Sequence, residues 1–399
     1  MKTDTVQELE RIPLLVPDIP APQYLLPWLE KVHAARHYSN FGPLVCELES
    51  RFAQQFALPQ THITTVANAT LGLELVLQAL ALAPGSRILV PAFTFVATAT
   101  AVLRAGHVPV LADVDAHSWL LTPDIARQAC VGRQLDAVLA VATFGMPHDM
   151  QAWQQFEEET GIPVVIDAAA AYGSQWLQGA QGTLVFSLHA TKSLPAIEGG
   201  FVVSSRPGLA AKVRQLSNFG INLDAGSGLP LGSLSATGTN AKMSEYHAAV
   251  CLASLQIWDR RSLQRKALHA DLVAEMDRAT GGLLGWQKPG DAGGIQAPTL
   301  LCAQFPDEAA RNQAEQGLAQ AHITTRRWYQ PLLSDMAVLQ QRCEILAVPN
   351  AQKLSRTLLG LPFFMDIAPA QRARVAEALA CSGLQEDLKE APSLATVAL

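Results

Sequence analysis

From about residue 60 to 205, short runs of consecutive apolar residues alternate with stretches whose apolar positions recur at helical spacing. The β-rich runs are 63–67, 87–91, 108–114, 136–143, 163–167, 183–188 and 200–204, and helix-like segments cover 71–82, 96–105 and 150–160. Strands this apolar, without a polar face, are buried on both sides. That points to an α/β fold with a mainly parallel sheet covered by helices, seven-stranded if every run pairs. Ligands of such sheets sit at the carboxyl ends of the strands.

The flanking regions read differently. Pro13, Pro17, Pro20, Pro22 and Pro27 keep the first part of an N-terminal lead extended, and 46–56 is helical in pattern. Residues 221–239 are rich in Gly and Ser and predict a mobile loop. One long helix, 244–275, then bridges to a C-terminal region with Pro-Phe-Phe-Met at 362–365, a helix near 369–380, and a polar tail past Ser382 that predicts disorder. The expected division is a lead plus large domain over 1–250 and a smaller α+β domain over 251–399. There is no internal repeat.

A chain of 399 residues exceeds one ordinary core, which agrees with two domains. Hydrophobic residues make up 49% and charged ones only 16%, a balance that predicts extra burial between subunits. A net charge of −6 without a basic run argues against nucleic acid. No apolar stretch suits a bilayer, and the polar start lacks a secretion signal's apolar core. The six cysteines are scattered with no Cys-x-x-Cys pair, which fits reduced thiols in the cytoplasm and no metal site.

The candidate chemistry lies at the ends of the predicted strands. Lys192, in Ser187-Leu-His-Ala-Thr-Lys192, is an amine able to form a Schiff base with a carbonyl cofactor. Asp167 ends an apolar strand, where an acid is costly to bury without a partner; a turn or cap aspartate has the same pattern. Asn68-Ala69-Thr70 opens a helix and offers free amides suited to a phosphate, although simple caps look alike. Phe95 follows a strand and is placed to lie on a flat ring or to fill core. His189 fits a structural hydrogen-bonding role as well as a catalytic one. Phosphate-loop, Gly-x-Ser-x-Gly, His-Glu-x-x-His and dinucleotide-binding signatures are absent.

Taken in order, the pieces resemble the DegT/StrS-type sugar aminotransferases, fold type I enzymes dependent on pyridoxal 5'-phosphate (PLP). The resemblance runs from Asn40-Phe-Gly-Pro-Leu-Val-Cys-Glu-Leu-Glu49 through Asn68-Ala-Thr70, Val90-Pro-Ala-Phe-Thr-Phe-Val-Ala-Thr98 and Phe144-Gly-Met-Pro-His-Asp149. It continues through Asp167-Ala-Ala, the Lys192 segment, Glu198-Gly-Gly, Asn218-Phe-Gly220, Gly238-Thr-Asn-Ala-Lys-Met-Ser-Glu245 and Arg326-Arg-Trp-Tyr-Gln-Pro331. It implies that Lys192 binds the cofactor covalently and shuttles a proton, that Asp167 pairs with the pyridine nitrogen, and that Phe95 stacks on the ring. Ala69, Thr70 and Ser187 would hold the phosphate, Asn240 would reach the phosphate in a neighbouring subunit of a homodimer, and Tyr329 would meet substrate. The implied reaction moves an amino group from glutamate or glutamine to a nucleotide-linked keto-deoxysugar, nearest to C4 of dTDP-4-keto-6-deoxyglucose, with C3 amination as the alternative. A non-catalytic PLP-binding regulator is a further alternative. Two positions depart from the family pattern. Ala170 stands where Gln or His would approach the cofactor hydroxyl, leaving Tyr172 or water as substitutes, and Pro331-Leu-Leu333 replaces a Pro-Leu-His stretch.

Overall fold

The computed structural model describes residues 10–382, so the tail expected to be disordered lies outside the described residues. Among the described residues there are ten strands: β1 Ile63–Val66, β2 Arg87–Pro91, β3 Val108–Ala112, β4 Ala137–Val141, β5 Val164–Asp167, β6 Thr183–Ser187, β7 Gly200–Ser204, β8 Leu301–Gln304, β9 Glu344–Ile345 and β10 Leu358–Leu361. Eight of them form one sheet in the order β1-β7-β6-β5-β4-β2-β3-β9. Only β7 runs against the rest: it pairs antiparallel with β1 and β6, and every other pairing is parallel. The seven expected strands are all present, each within a residue or two of its apolar run.

The eighth strand, β9, was not foreseen. Its two residues are too short to carry a pattern, and Glu344 is anchored by ion pairs to Arg87 and Arg133. Helices cover both faces. α1 Pro22–Ala35, α2 Pro43–Phe56, α3 Ala69–Ala79, α4 Val96–Arg104, α5 Pro123–Cys130, α6 Met150–Thr160 and α7 Leu209–Ser217 belong to this layer. Two hydrophobic clusters, one on each side of the sheet, hold it together.

α3 lies close on the sheet because Gly72 has no side chain; a Cβ there would stand 2.9 Å from Val185 Cγ1. α2 is fixed from far along the chain: buried Glu245 accepts the Leu44 and Val45 amides at 2.8 and 2.9 Å. A carboxylate on the orphan amides of a helix start satisfies both donors and the helix dipole.

The long helix expected over 244–275 is two helices, α8 Glu245–Gln256 and α9 Trp258–Thr280, with Ile257 non-helical between them (φ −109°, ψ 3°). The 221–239 segment has defined structure, with Ile221 bridging Leu234 and buried Asn222 bonding across the loop to the carbonyls of Leu229 and Pro230. A third core, built from α9, β8, β10, α10 Glu308–Gln320 and α13 Pro369–Ala380, also takes in Ile12 from the lead. Between those elements, α11 Ala337–Gln340 and α12 Pro349–Thr357 contribute Leu339, Ala351 and Leu354 to a core of the large sheet instead.

Candidate active site

β5 and β6 lie side by side in parallel, so their carboxyl ends bring Asp167 and Ser187 to one edge of the sheet. The chain leaving β6 turns back into β7 through a loop tied by its backbone. Leu188 N–H bonds Gly199 O, Ala196 N–H bonds Leu188 O, and Lys192 N–H bonds His189 O. Ser193 Oγ ties the same loop to Tyr172 O at 3.2 Å. Lys192, in this loop, is near enough to Asp167 for the two charges to act on each other.

Asp167 is buried and Lys192 half-buried. Burial pushes the Lys192 amine below its ordinary value, opposed by the charge of Asp167. Burial pushes the Asp167 carboxyl up, opposed by hydrogen bonds from Thr98 and the Ala169 amide and by Lys192. Asp167 Oδ2 accepts from Thr98 Oγ1 at 2.9 Å, and Oδ1 accepts from Ala169 N–H at 3.1 Å. Thr98 had no expected role. Its signal was a hydroxyl four residues after Thr94 in an otherwise apolar stretch, and the two hydroxyls are 3.1 Å apart.

At the start of α3, the Asn68 side chain accepts the Leu71 amide, and Gly72 N–H begins the helical ladder on Asn68 O. That leaves the amides of Ala69 and Thr70 as the open pair at this helix end. Gly200, on β7 beside Ser187, keeps them accessible: a Cβ there would stand 2.8 Å from the Ala69 nitrogen. Phe95 is the N-cap of α4 and half exposed. Half-buried Tyr329 packs edge-on to Phe93 (5.1 Å) and stacks with Phe144 (5.5 Å); burial raises its phenol, with a smaller contribution from the nearby Asp167 charge.

Asn240 lies near the start of α3, where the carbonyl of its neighbour Ala241 accepts from the Ala67 amide at 2.7 Å. Asn240 is exposed, and its Oδ1 accepts from Lys242 Nζ at 2.7 Å. His189 is partly exposed and bonds Thr191 through Nδ1 at 2.9 Å. Tyr172 does not replace the contact missing at Ala170. Its hydroxyl donates to Gln55 Oε1 at 2.6 Å, and its ring is buried among Phe186, Phe201 and Trp258. Among the described residues no cluster of His, Cys, Asp or Glu suits a metal, and no helix is long and apolar enough to cross a membrane.

These residues fit PLP. An anion cradle without a side chain over it, an amine and a hydrogen-bonded acid converge where the strands end, matching the phosphate, aldehyde and ring nitrogen of that molecule. The fold is also that of PLP-dependent aminotransferases. A putative PLP-dependent aminotransferase from Bacillus cereus is 25% identical, with 93% of this chain and all of that one aligned at a TM-score of 0.81. DesI, crystallised in the presence of its TDP-sugar product, is 29% identical over 94% of this chain and 93% of its own (TM-score 0.80). DesV of S. venezuelae, crystallised with a ketimine intermediate, is 25% identical over 93% and 98% (TM-score 0.77).

The family model of the DegT/DnrJ/EryC1/StrS aminotransferases matches residues 25–380. The chain belongs to that family, and it is a PLP-dependent aminotransferase.

Proposed function

We propose that this enzyme moves an amino group from glutamate or glutamine to a nucleotide-linked keto-deoxysugar, with C4 of dTDP-4-keto-6-deoxyglucose as the accepting position and C3 as the alternative. The observation that carries the reading is the charge interaction between half-buried Lys192, in the loop after β6, and buried Asp167 at the end of β5. DesI, solved with a TDP-sugar product, supports the substrate class.

Bound PLP supplies an electron sink that stabilises negative charge on the substrate carbon. Lys192 is the amine for covalent attachment of the aldehyde. Its lowered pKa favours the neutral form, which takes a proton from that carbon and returns one in each half of a ping-pong cycle. Asp167, ionised, holds a proton at the ring nitrogen. The Ala69 and Thr70 amides, with the hydroxyls of Thr70 and Ser187, hold the phosphate. Phe95 covers a ring face, and Tyr329 bounds the substrate side.

The working form is a homodimer in which Asn240 completes the phosphate site of a second subunit. Support comes from the exposure of Asn240 and of large apolar side chains nearby, Phe219, Leu231, Leu234 and Tyr246. The six free thiols suit a cytoplasmic setting. The test is a screen of keto-sugar nucleotides with glutamate or glutamine, reading product structure. Amination of a dTDP-4-keto-6-deoxysugar at C4 supports the reading. Turnover only of keto compounds without a nucleotide contradicts it.

A further inference from the structure

Thr98 is fully buried, on the first turn of α4, and its N–H bonds the carbonyl of Phe95 in that same turn. One helical turn therefore carries both the ring expected on the cofactor face and a hydroxyl on the acid expected at its nitrogen. The hydrogen-bond directions are constrained. The Ala169 amide can only donate, so Asp167 Oδ1 accepts. If Asp167 is ionised, its Oδ2 can also only accept, so Thr98 must donate to it and in turn accept from Thr94, whose hydroxyl is buried as well. The chain Thr94–Thr98–Asp167 is complete in one direction when the acid is charged. A protonated acid could keep both bonds at its remaining lone pairs, but each is stronger to the carboxylate, so the two donors favour the charged form. The other groups facing Asp167 electrostatically are Lys192, from the β6–β7 loop, and Tyr329, from the 326–331 segment.

We propose that Thr98, oriented by Thr94, is a positioning residue that holds Asp167 ionised and aimed at the cofactor ring nitrogen. The proposal rests on the assignment of Asp167 to that nitrogen. Its action runs through charge: a hydrogen bond to an ionised group is about twice as strong as a neutral one, and a low-dielectric surround raises the penalty for losing it.

The test uses purified holoenzyme of Thr98→Val, Thr98→Ser, Thr94→Val and Asp167→Asn, reading the PLP dissociation constant and the pH midpoint of the bound cofactor's visible absorbance. Thermal unfolding of the cofactor-free forms is followed alongside. Thr98→Val is expected to weaken cofactor binding about tenfold and to shift the absorbance midpoint. Thr98→Ser should restore both, and Thr94→Val should move both in the same direction by about two- to threefold in affinity. A purely packing role would lower the unfolding temperature without moving the absorbance midpoint. If Thr98→Val proves unfolded, the Ser and Thr94 variants decide the matter. Unchanged affinity and midpoint in Thr98→Val, or in Thr94→Val where the former does not fold, overturn the proposal. If Asp167→Asn also binds PLP unchanged, the assignment of Asp167 fails with it; if only Asp167→Asn weakens binding, the Thr98 role alone fails.

Discussion

The chemistry rests on Lys192 and Asp167, and each needs the other's environment. In water a lysine amine is almost wholly protonated at neutral pH and is no base; burial lowers its pKa toward usefulness. The same burial pushes the Asp167 carboxyl up, and the donors from Thr98 and Ala169 oppose that shift. Replacing Lys192 by Ala removes the proton carrier without disturbing a hydrogen bond of its side chain. A loss of about 10³-fold or more in amino transfer is expected, with an unfolding temperature near that of the parent. Steady-state kinetics with glutamate checks the first, and calorimetry the second. Activity within tenfold of the parent would show that another base acts.

At the scale of elements, the site is a meeting of strand ends with the first turns of α3 and α4. Gly200→Ala is the substitution that tests this most simply. Its Cβ would lie 2.8 Å from both the Ala69 nitrogen and the Phe186 oxygen. It should cost about 1–3 kcal/mol in stability and weaken PLP binding by tenfold or more, read by urea unfolding and cofactor titration. Equal affinity in the variant would mean that the phosphate does not sit at the α3 amides. The strands β1 to β7 were legible because buried parallel strands leave unbroken apolar runs, and Asp167 and Ser187 were legible as polar residues ending such runs. Thr98 was not, since a threonine early in a helix does not announce a partner 69 residues away. The break at Ile257 was also hidden: neither Gly nor Pro marks it, and α8 is buried along Ala248–Ser254 without periodicity. β9 is defined by its neighbour β3 and by two arginines, not by its own two residues.

For the whole molecule, acid stability follows from a buried histidine. His148 Nε2 faces Val141 O at 2.8 Å, and its Nδ1 accepts from Trp153 Nε1 at 3.1 Å, which fixes the neutral tautomer with the proton on Nε2. Burial pushes its pKa from 6.5 down to about 4. The unfolded chain therefore binds the proton first as pH falls. Stability is expected to drop progressively between pH 6.5 and 4, by about 3 kcal/mol at most from this group. Burial of His269 adds in the same direction, again with a pKa of about 4. Urea midpoints followed by tryptophan fluorescence at stepped pH read this; a flat midpoint from pH 6.5 to 5 would contradict it. Subunit sharing has its own whole-molecule test. Mixing inactive Lys192→Ala and Asn240→Ala proteins under exchange should restore about a quarter of parent activity, since half the dimers carry one intact site. No recovery despite demonstrated exchange would place Asn240 outside the partner's site. The central claim is covalent and can be read directly. The holoenzyme, treated with borohydride and digested, should carry the reduced pyridoxyl group on the peptide containing Lys192, and on no other lysine. A label on a different lysine, or none on a protein that retains its cofactor, would contradict the account.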